Sequence, residues 1–404
     1  MRLLLVHQNF PGQFRELLPY LQSRGHDIVA VCSHGRPIEH SVRLFRYPEP
    51  STLEAPTFPG QELWYSALLR AKQIALICSK LQSEGWKPDR VLAHSGWGES
   101  ISIKQVWPDV PHIIWPELWC LPIHGGYGVD PSLPPPNLTH HLEQLGRNSL
   151  TRVALDQASA WILPTRHQAD SFPLEFQSTN LHVIHEGINT CLACPNHDVN
   201  LTLRGITLNR SVPVVTFVNR NLERLRGFDS FMRSIPLIQQ AHPTTQFIVV
   251  GDNERGYGNP HPSGRPLKDI MLEELDGKID SSYVHFLGRI PYAQLISILQ
   301  VSRVHVYLSF PFILGWSLLE AMSIGCSIVA SHGPPVSEVI TDGVDGLLVP
   351  INSPDRIAQR VSTLLSLPHL RSSLSRQARV TARAYDLSFT LPQTTCVIEN
   401  LHSL

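Results

Sequence analysis

The chain has 404 residues, and 42% of them are hydrophobic while 17% are charged. This balance predicts ordinary globular folding, with room for two or three domains of about 150 residues each. The formal net charge of −1 argues against a protein that binds duplex nucleic acid, since such a protein must neutralise many phosphates. No apolar run reaches the ~18 residues that a membrane helix needs, because Pro311 interrupts the longest one, residues 306–319. The apolar start, residues 3–6, is too short for a secretory signal, so we expect a cytoplasmic protein.

The cysteine pattern agrees with that compartment. There are seven cysteines, an odd number, and most of them lie far apart inside apolar stretches. Cys191 and Cys194 form a Cys-x-x-Cys pair, but no second pair follows at the spacing of a structural zinc site. We therefore expect neither a bound metal nor a disulfide framework.

Apolar strands alternate with amphipathic helices from end to end, which predicts the α/β class with parallel sheets covered by helices. In the first half, the predicted strands are residues 3–6, 28–32, 90–93, 112–115, 160–163 and 181–185, and the predicted helices are residues 14–23, 60–84 and 148–159. Residues 125–137 hold three glycines and four prolines, which predicts a surface loop near a site.

The alternation pauses over residues 189–210 and then resumes, which predicts a domain boundary and a second doubly wound sheet. The predicted strands are residues 212–218, 246–250, 284–287, 304–308, 327–330 and 346–349, and the predicted helices are residues 228–240, 267–275, 292–300, 315–323, 336–340 and 354–365. The predicted domains are residues 1–195 and 196–385, and we expect residues 386–404 to pack back on the first domain. Because ligands bind at the carboxyl ends of strands in such sheets, two domains of this kind form a cleft where two substrates can meet.

A helix start in the second half is a candidate anion site. The sequence Phe312-Ile-Leu-Gly-Trp-Ser-Leu-Leu-Glu-Ala-Met enters a helix whose first turn offers the amides of Gly315, Trp316 and Ser317. Further along the helix, the carboxylate of Glu320 suits a pair of vicinal hydroxyls such as those of a ribose. The alternative is a buried helix with a single exposed glutamate.

Two arginines mark a candidate phosphate clamp. Arg220 and Arg226 flank a strand-to-helix loop, the position where open α/β sheets bind phosphate. Their guanidinium groups would hold a diphosphate with forked hydrogen bonds, and Gly227 would allow a close backbone approach. The alternative is a solvated basic loop, of which Arg224 is an example.

These segments, in this order, resemble glycosyltransferase family 4, whose members are retaining enzymes of the GT-B fold. The resemblance covers nearly the whole chain and rests on the following segments: Asn9-Phe-Pro-Gly-Gln-Phe14 with Gly12, Gly25-His-Asp-Ile28, His185-Glu-Gly-Ile-Asn189, Phe286-Leu-Gly-Arg289, Glu320-Ala-Met322, Gly325 and Asp342-Gly-x-x-Gly346. It implies two Rossmann-like domains facing each other across a cleft, with the acceptor side in the first domain and the nucleotide sugar in the second. It also implies that Gly12 lies near the transferred sugar and that the loop at Arg289 and Ile290 receives the base.

The sequence departs from the family pattern at the expected active site. The pattern is Glu, seven residues, Glu, and here Phe312 stands at the first position, so the motif looks like a subgroup form. Where many members place a strand-end histidine facing the anomeric carbon, Glu117 appears, either as a carboxylate that stabilises charge on the sugar or as an acidic loop residue. His94 ends another predicted strand and is a second candidate for that place.

The resemblance implies a metal-independent glycosyltransferase that needs no cofactor and takes a nucleoside diphosphate sugar as donor. In it, Arg220 and Arg226 neutralise the leaving diphosphate, while Glu320 holds the ribose. A catalytically silent nucleotide-sugar binder and a nucleotide-sugar epimerase on the same fold stay open as alternatives. The sequence identifies neither the base, the sugar nor the acceptor, and it leaves peripheral contact with the inner face of the membrane open.

Overall fold

The computed structural model describes residues 1–35, 42–177, 180–203, 205–254 and 256–401. The strands are β1 (Arg2–Val6), β2 (Asp27–Cys32), β3 (Arg43–Arg46), β4 (Arg90–His94), β5 (His112–Trp115), β6 (Ala160–Leu163), β7 (Leu181–Val183), β8 (Leu201–Leu203), β9 (Ile206–Leu208), β10 (Val214–Asn221), β11 (Gln246–Asp252), β12 (Val284–Phe286), β13 (Val304–Tyr307), β14 (Ser327–Ser331) and β15 (Leu347–Val349). The helices are α1 (Leu17–Ser23), α2 (Gln61–Ser83), α3 (Leu138–Asp156), α4 (Arg166–Asp170), α5 (Phe228–Ala241), α6 (Leu267–Glu274), α7 (Tyr292–Val301), α8 (Trp316–Ile324), α9 (Pro334–Ser337), α10 (Pro354–Ser366), α11 (Pro368–Arg383) and α12 (Leu387–Asn400). Within the described residues, no helix is both long enough and apolar enough to cross a membrane.

The chain forms two compact units. Unit 1 comprises Met1–Pro122, Pro135–Glu186 and Leu387–Leu404, and unit 2 comprises Ile123–Pro134 and Gly187–Asp386. The division after Glu186 lies nine residues before the boundary predicted at residue 195, because Ile188 already bridges to Asp386 within unit 2.

Each unit contains one parallel sheet with a reversal of strand order. Unit 1 has the order β3-β2-β1-β4-β5-β6-β7, and unit 2 has the order β12-β11-β10-β13-β14-β15. All the pairs in both sheets are parallel, while β8 and β9 form a separate antiparallel pair. The order reverses between β1 and β4 in unit 1 and between β10 and β13 in unit 2. In open α/β sheets, these are the points where ligands bind, beyond the carboxyl ends of the strands.

Both faces of each sheet are buried, which explains why the strands read as continuous apolar runs. In β1, Leu3 and Leu5 pack in one core of unit 1, while Leu4 and Val6 pack in the core on the opposite face. The same alternation holds along β10 in unit 2. Polar residues therefore appear abruptly where each central strand ends, and these positions hold the candidate site.

The carboxyl-terminal helix α12 belongs to unit 1, where Leu391 and Ile398 are buried in the core beside α1. Arg24, just after α1, donates to Glu399 of this helix at 2.8 Å. The last residues of the segment predicted to pack on the first domain, 402–404, lie outside the described residues.

Some predicted elements need correction. Helix α3 begins at Leu138 rather than at residue 148, because Asn137 caps it by accepting a hydrogen bond from the His140 amide at 3.1 Å. Strands β8 and β9 occupy part of the stretch predicted to be irregular, and helix α11 was not predicted.

Candidate functional site

Three polar residues follow the central strands of unit 1 at the point where strand order reverses. His7 comes directly after β1, His94 ends β4, and Glu117 lies two residues beyond β5. The rings of His7 and His94 lie 5.1 Å apart between their centres. The structure therefore brings together the two residues, His94 and Glu117, that the sequence offered as alternatives.

A chain of hydrogen bonds joins these groups. The Glu117 carboxylate oxygen Oε1 lies 3.2 Å from Nε2 of His94 and accepts from Nε2 of Gln13 at 2.6 Å. The side-chain oxygen of Gln13 lies 2.5 Å from Nε2 of His7. Glu117 is thus held from two sides, while 35% of its side chain stays exposed to solvent and available to a substrate.

Backbone amides fix the orientation of both imidazole rings. The Asn9 amide donates to Nδ1 of His7 at 3.0 Å, and the Gly96 amide donates to Nδ1 of His94 at 3.2 Å. With Nδ1 accepting in each ring, the proton of the neutral ring lies on Nε2. Nε2–H of His94 therefore donates to Glu117, and Nε2–H of His7 donates to Gln13.

The backbone at Glu117 is strained. Glu117 has φ of +59°, and it is the only non-glycine residue with positive φ in the described part of the chain. The Leu118 amide donates to the Pro116 carbonyl at 2.8 Å, which closes a tight three-residue turn around Glu117. The buried side chain of Gln168 secures this turn by donating to the Glu117 carbonyl at 2.7 Å. Strain of this kind persists where surrounding contacts enforce it, and it concentrates at active sites.

Two glycines make room for the histidine rings. A Cβ atom at Gly12 would lie 2.3 Å from the His7 ring, and one at Gly96 would lie 2.8 Å from the His94 ring. Gly12 also has φ of +50°, which side chains rarely allow. Gly12, predicted to lie near a transferred sugar, therefore supports the histidine cluster directly.

Burial and neighbouring charges set the pKa values of the cluster. Burial lowers the pKa of His7 to about 4, with the positive charge that His94 can carry adding to the effect. Burial also acts to lower the pKa of His94, but the Glu117 carboxylate outweighs it and raises that pKa. Burial acts to raise the pKa of Glu117, and the contacts with His94 outweigh it and lower that pKa. Glu117 therefore carries a negative charge at neutral pH.

In unit 2, Arg226 spans the point where strand order reverses. It follows β10, and its Nη1 donates to the hydroxyl of Ser309 at 2.8 Å and to the carbonyl of Ile313 at 2.9 Å, both beyond the neighbouring strand β13. Gly227 allows this approach, because a Cβ there would lie 2.5 Å from Leu308 and φ is +64°. The local chain thus fixes the Arg226 guanidinium group beside the carboxyl ends of β10 and β13, and its binding of phosphate stays a prediction.

Two aromatic rings, those of Tyr257 and Phe312, link Arg220 to Arg226 by contact. Nη1 of Arg220 donates to the Tyr257 hydroxyl at 3.1 Å, and the Arg220 guanidinium lies 5.9 Å from the centre of that ring. The centres of the Tyr257 and Phe312 rings lie 5.6 Å apart. The Arg226 guanidinium lies 5.3 Å from the centre of the Phe312 ring. Phe312, the departure from the family motif, therefore contacts Arg226 with the face of its ring. Arg224, by contrast, forms ion pairs with Asp130 and Asp229, each at 3.4 Å.

The half-buried carboxyl group of Glu223 lies close enough to Arg226 and Arg220 for their charges to act on its pKa. It accepts a hydrogen bond from the Gly258 amide at 2.7 Å. Burial raises the pKa of Glu223, while the Gly258 amide and then Arg226 act in the opposite direction.

The start of helix α8 differs from the prediction in one respect. The Gly315 amide donates to the Tyr307 hydroxyl at 2.7 Å, so the prediction that it is a free amide is wrong. The hydroxyl lies at the end of β13 and takes the place that an anion would occupy on that amide. Trp316 and Ser317 begin the helix and are partly exposed, and their part in anion binding stays a prediction.

Glu320 lies inside unit 2 with only 4% of its surface exposed. Its Oε1 accepts a hydrogen bond from the Tyr292 hydroxyl at 2.8 Å. The alternative that Glu320 is a single exposed residue on a buried helix is therefore wrong. Tyr292 is the first residue of α7 and follows Ile290 by two positions, so this bond links the predicted base loop to helix α8.

The side chain of Arg289 points to acidic neighbours. Its Nη2 lies 3.5 Å from Asp252 and 3.3 Å from Glu254, and the side chain is about half exposed. Ile290 packs partly buried against a core of unit 2. Base binding by the loop at Arg289 and Ile290 stays a prediction, and these side-chain contacts leave it to the backbone of the loop.

Sequence reasoning missed four residues of these clusters: His7, Gln13, Tyr257 and Tyr292. His7 had a usable signal, since it is the first polar residue after an apolar strand, as His94 is at the end of β4. Tyr257 and Tyr292 gave none, because each meets a partner far along the chain.

Comparison with known proteins adds family information to this geometry. Residues 24–192 match the family model described as Glycosyl transferase family 4 group, and residues 212–367 match the model described as Glycosyl transferases group 1. The chain is 31% identical over 109 residues to an uncharacterized glycosyltransferase of Methanocaldococcus jannaschii, an alignment that spans 27% of this chain and 28% of that protein. It is 25% identical over 296 residues to a phosphatidyl-myo-inositol mannosyltransferase of Mycobacterium tuberculosis, covering 65% of this chain and 73% of that protein.

Two solved structures resemble the whole chain. Sucrose-phosphate synthase from Thermosynechococcus elongatus superposes with a TM-score of 0.75 at 17% identity and covers 99% of both chains. HepE from Anabaena, in complex with UDP and glucose, superposes with a TM-score of 0.72 at 14% identity and covers 99% of this chain and 100% of that one. At such identities the likeness shows the fold alone, and it confirms the predicted fold class, two Rossmann-like α/β domains of the GT-B type.

Proposed function

This chain belongs to the glycosyltransferases of the family 4 group and group 1, and we propose that it transfers a sugar from a nucleoside diphosphate sugar to an acceptor hydroxyl with retention of configuration. A structural neighbour has been solved with UDP and with UDP-glucose, which supports this class of donor. The proposed acceptor is a glycan, a glycolipid or a small molecule.

The observation that carries the proposal is the pair of guanidinium groups at the reversal point of unit 2. Arg226 is fixed by Ser309 and Ile313, and Arg220 is fixed by Tyr257. Two planar guanidinium groups suit the oxygens of a diphosphate, and they stabilise the negative charge that grows as the diphosphate leaves. A reaction supported in this way needs no divalent metal ion, since the arginine side chains supply the positive charge.

Unit 1 supplies the opposite charge in this proposal. When the bond between the anomeric carbon and the phosphate oxygen breaks, positive charge develops on the sugar ring. The Glu117 carboxylate, ionised at neutral pH and partly exposed, would stabilise that charge. His94 and Gln13 hold the carboxylate in position and leave its charge in place.

Retention fixes the path of the acceptor. The acceptor oxygen forms its bond on the face from which the diphosphate departs, so the leaving phosphate oxygen is a base adjacent to the entering hydroxyl. The hydroxyl proton would pass to that oxygen, which balances the step without another base.

Binding of the nucleoside falls to helix α8 and the start of α7. Glu320 is a carboxylate held by Tyr292, and it would accept hydrogen bonds from the ribose hydroxyls. The backbone near Arg289 and Ile290 would receive the base.

A donor screen tests the proposal. Purified protein is incubated with UDP-glucose, GDP-mannose and related donors, and released nucleotide is measured with Arg226→Ala as the loss variant and Arg224→Ala as the control. Slow donor hydrolysis that Arg226→Ala abolishes and Arg224→Ala keeps would support a transferase. Tight binding with no turnover would instead indicate a silent binder, and interconversion of sugars would indicate an epimerase.

A further inference from the structure

Unit 2 contains a second basic site, in a cavity of about 250 Å³. Its lining includes four serines and three arginines, and the arginines are Arg210, Arg303 and Arg371. The cavity is large enough for a phosphate group with a small organic part attached.

The arginines of this cavity lack acidic partners. In the described part of the chain, none of Arg210, Arg303 and Arg371 forms an ion pair with a carboxylate. Burial and then the charge of Arg371 lower the pKa of Arg303, and burial and then the charge of Arg210 lower the pKa of Arg371. Like charges held together without compensation cost stability, so a bound anion would relieve the strain.

Backbone carbonyls hold two of the guanidinium groups in place and leave donors available. Arg303 donates through Nε and Nη2 to the carbonyls of Arg210 and Ser211, and Arg371 donates through Nη1 to the carbonyls of Leu364 and Leu365. Among the described residues, Nη1 of Arg303 and Nη2 of Arg371 make no hydrogen bond. A guanidinium that is fixed on one side with open N–H groups on the other is pre-organised for an oxyanion.

Helix α11 adds to the positive potential. Its 16 residues include four arginines and no acidic residue, and Arg371 lies close to its start. A cation near a helix N-terminus opposes the helix dipole, whereas an anion there is favoured by both the dipole and the arginine.

This cavity lies at the opposite edge of the sheet from the arginine pair. Arg303 immediately precedes β13 and Ser327 begins β14, whereas Arg226 meets Ser309 beyond the end of β13. The four residues of β13, with a rise of about 3.3 Å each, separate the cavity at one end of the strand from the arginine pair at the other. A ligand in the cavity would therefore leave the arginine pair accessible.

We propose that this cavity is a second anion site, which binds the phosphate group of a phosphorylated ligand independently of the nucleotide sugar. The concave shape favours a single phosphate group over an extended polyanion. That group can belong to a small phosphomonoester or to a lipid headgroup, and the experiment separates these sources.

Calorimetry on the whole protein in phosphate-free buffer tests the proposal, with inorganic phosphate and glucose 6-phosphate as soluble probes. Sedimentation with phosphatidylcholine vesicles, with and without phosphatidylinositol 4-phosphate, provides the lipid arm. Arg371→Ala and Arg210→Ala should each weaken binding about tenfold or more, since each removes a charge-assisted contact. Arg210 has an exposed side chain with no hydrogen bond among the described residues, so its variant should keep the fold even if Arg371→Ala does not.

Arg383→Ala is the matched control, because it removes an arginine from the same helix, outside the cavity. The expected result is binding that Arg383→Ala and Arg226→Ala leave unchanged. Binding of the soluble probes would assign a small ligand, and binding of the phosphoinositide vesicles alone would assign a lipid headgroup. The proposal is overturned if no probe binds, if Arg210→Ala and Arg371→Ala bind like the unaltered protein, or if Arg226→Ala alone removes the binding, which would place the anion at the arginine pair.

Discussion

The Glu117 carboxylate lies 3.2 Å from Nε2 of His94. The sequence offered these two residues as alternatives for one role, and in the structure they form a single pair. Only Glu117 has a substantially exposed side chain, while His94 is buried and held at its other nitrogen by the Gly96 amide. The exposed member can meet a substrate, and the buried member positions it. In the proposed reaction, we therefore expect the charge of Glu117, and not that of His94, to act on the substrate.

Replacing Glu117 by glutamine should therefore lower kcat and leave nucleotide affinity nearly unchanged. The amide oxygen of glutamine can still accept from His94 and Gln13, so the variant keeps the geometry and loses only the charge. Loss of a pre-organised charge of this kind costs on the order of 10²-fold in rate. Steady-state kinetics together with calorimetry with UDP would measure the two effects separately. A normal kcat in Glu117→Gln would show that the carboxylate does not stabilise charge on the sugar.

The strained backbone at Glu117 gives a second prediction, on stability. Glycine usually destabilises relative to alanine, but at φ of +59° the order should reverse, because only alanine has a Cβ in that conformation. We expect Glu117→Gly to be more stable than Glu117→Ala by about 1 kcal/mol, as measured by urea unfolding. Both variants lose the carboxylate, so their difference isolates the backbone. Equal stability of the two variants, or greater stability of Glu117→Ala, would mean that the turn relaxes without cost.

The sequence predicted the class of the fold and most of the elements that carry the site, because the apolar runs of two-sided sheets end abruptly. The run of residues 112–115 was predicted as a strand with the bounds that β5 has, and His94 was placed at a strand end. Arg226 was placed between a strand and a helix, and in the structure it ends a short 3-10 helix between β10 and α5. These features depend on local sequence, and local sequence revealed them.

Contacts between distant segments were beyond the reach of the sequence. The Gly315 amide is taken by Tyr307, eight residues earlier, and Glu320 is held by Tyr292, 28 residues earlier. The positive φ of Glu117 depends on Gln168, which lies 51 residues further along. No pattern of spacing or periodicity records such approaches, since they follow from how helices and loops pack on the sheet.

The contrast between two neighbouring arginines tests the phosphate clamp. Arg226→Ala should weaken UDP binding by about 1.5–3 kcal/mol, the range for a hydrogen bond to a charged group. Arg224→Ala removes the same charge two residues away, but Arg224 pairs with Asp130 and Asp229, so UDP affinity should stay unchanged. Calorimetry on both variants compares them directly. If the two variants bind UDP alike, the clamp does not involve Arg226 in particular.

Acid stability should depend on His112, which lies fully buried in β5. Neither of its ring nitrogens has a hydrogen-bond partner among the described residues. Burial, reinforced by Lys104, lowers the pKa of His112 to about 3. Because the unfolded chain binds this proton at higher pH, the native state loses stability as the pH falls from 6.5 towards 3, by up to about 1.4 kcal/mol per pH unit.

His112→Leu should therefore raise the free energy of unfolding at neutral pH by about 1–3 kcal/mol and reduce the loss on acidification. His285→Leu serves as the control, since His285 is buried but bonded to Gln246 at 2.7 Å, and its replacement should destabilise. Urea unfolding between pH 7 and pH 4 measures both variants. A loss of stability in His112→Leu equal to that in His285→Leu would contradict the unpaired state of His112.

Glu320 and Tyr292 should act together on donor binding. The carboxylate would hold the ribose equally in the ground state and the transition state, so Glu320→Gln should raise the donor KM and change kcat little. Tyr292→Phe removes the hydroxyl that positions the carboxylate at 2.8 Å, and it should raise KM in the same direction by a smaller factor. Because both changes affect one interaction, the double variant should show less than the sum of the two single effects in free energy. Steady-state kinetics at varied donor concentration provides the three values. An unchanged KM in Glu320→Gln would show that Glu320 does not bind the ribose. Strict additivity of the two single effects would mean that Tyr292 stabilises the helix without positioning the carboxylate.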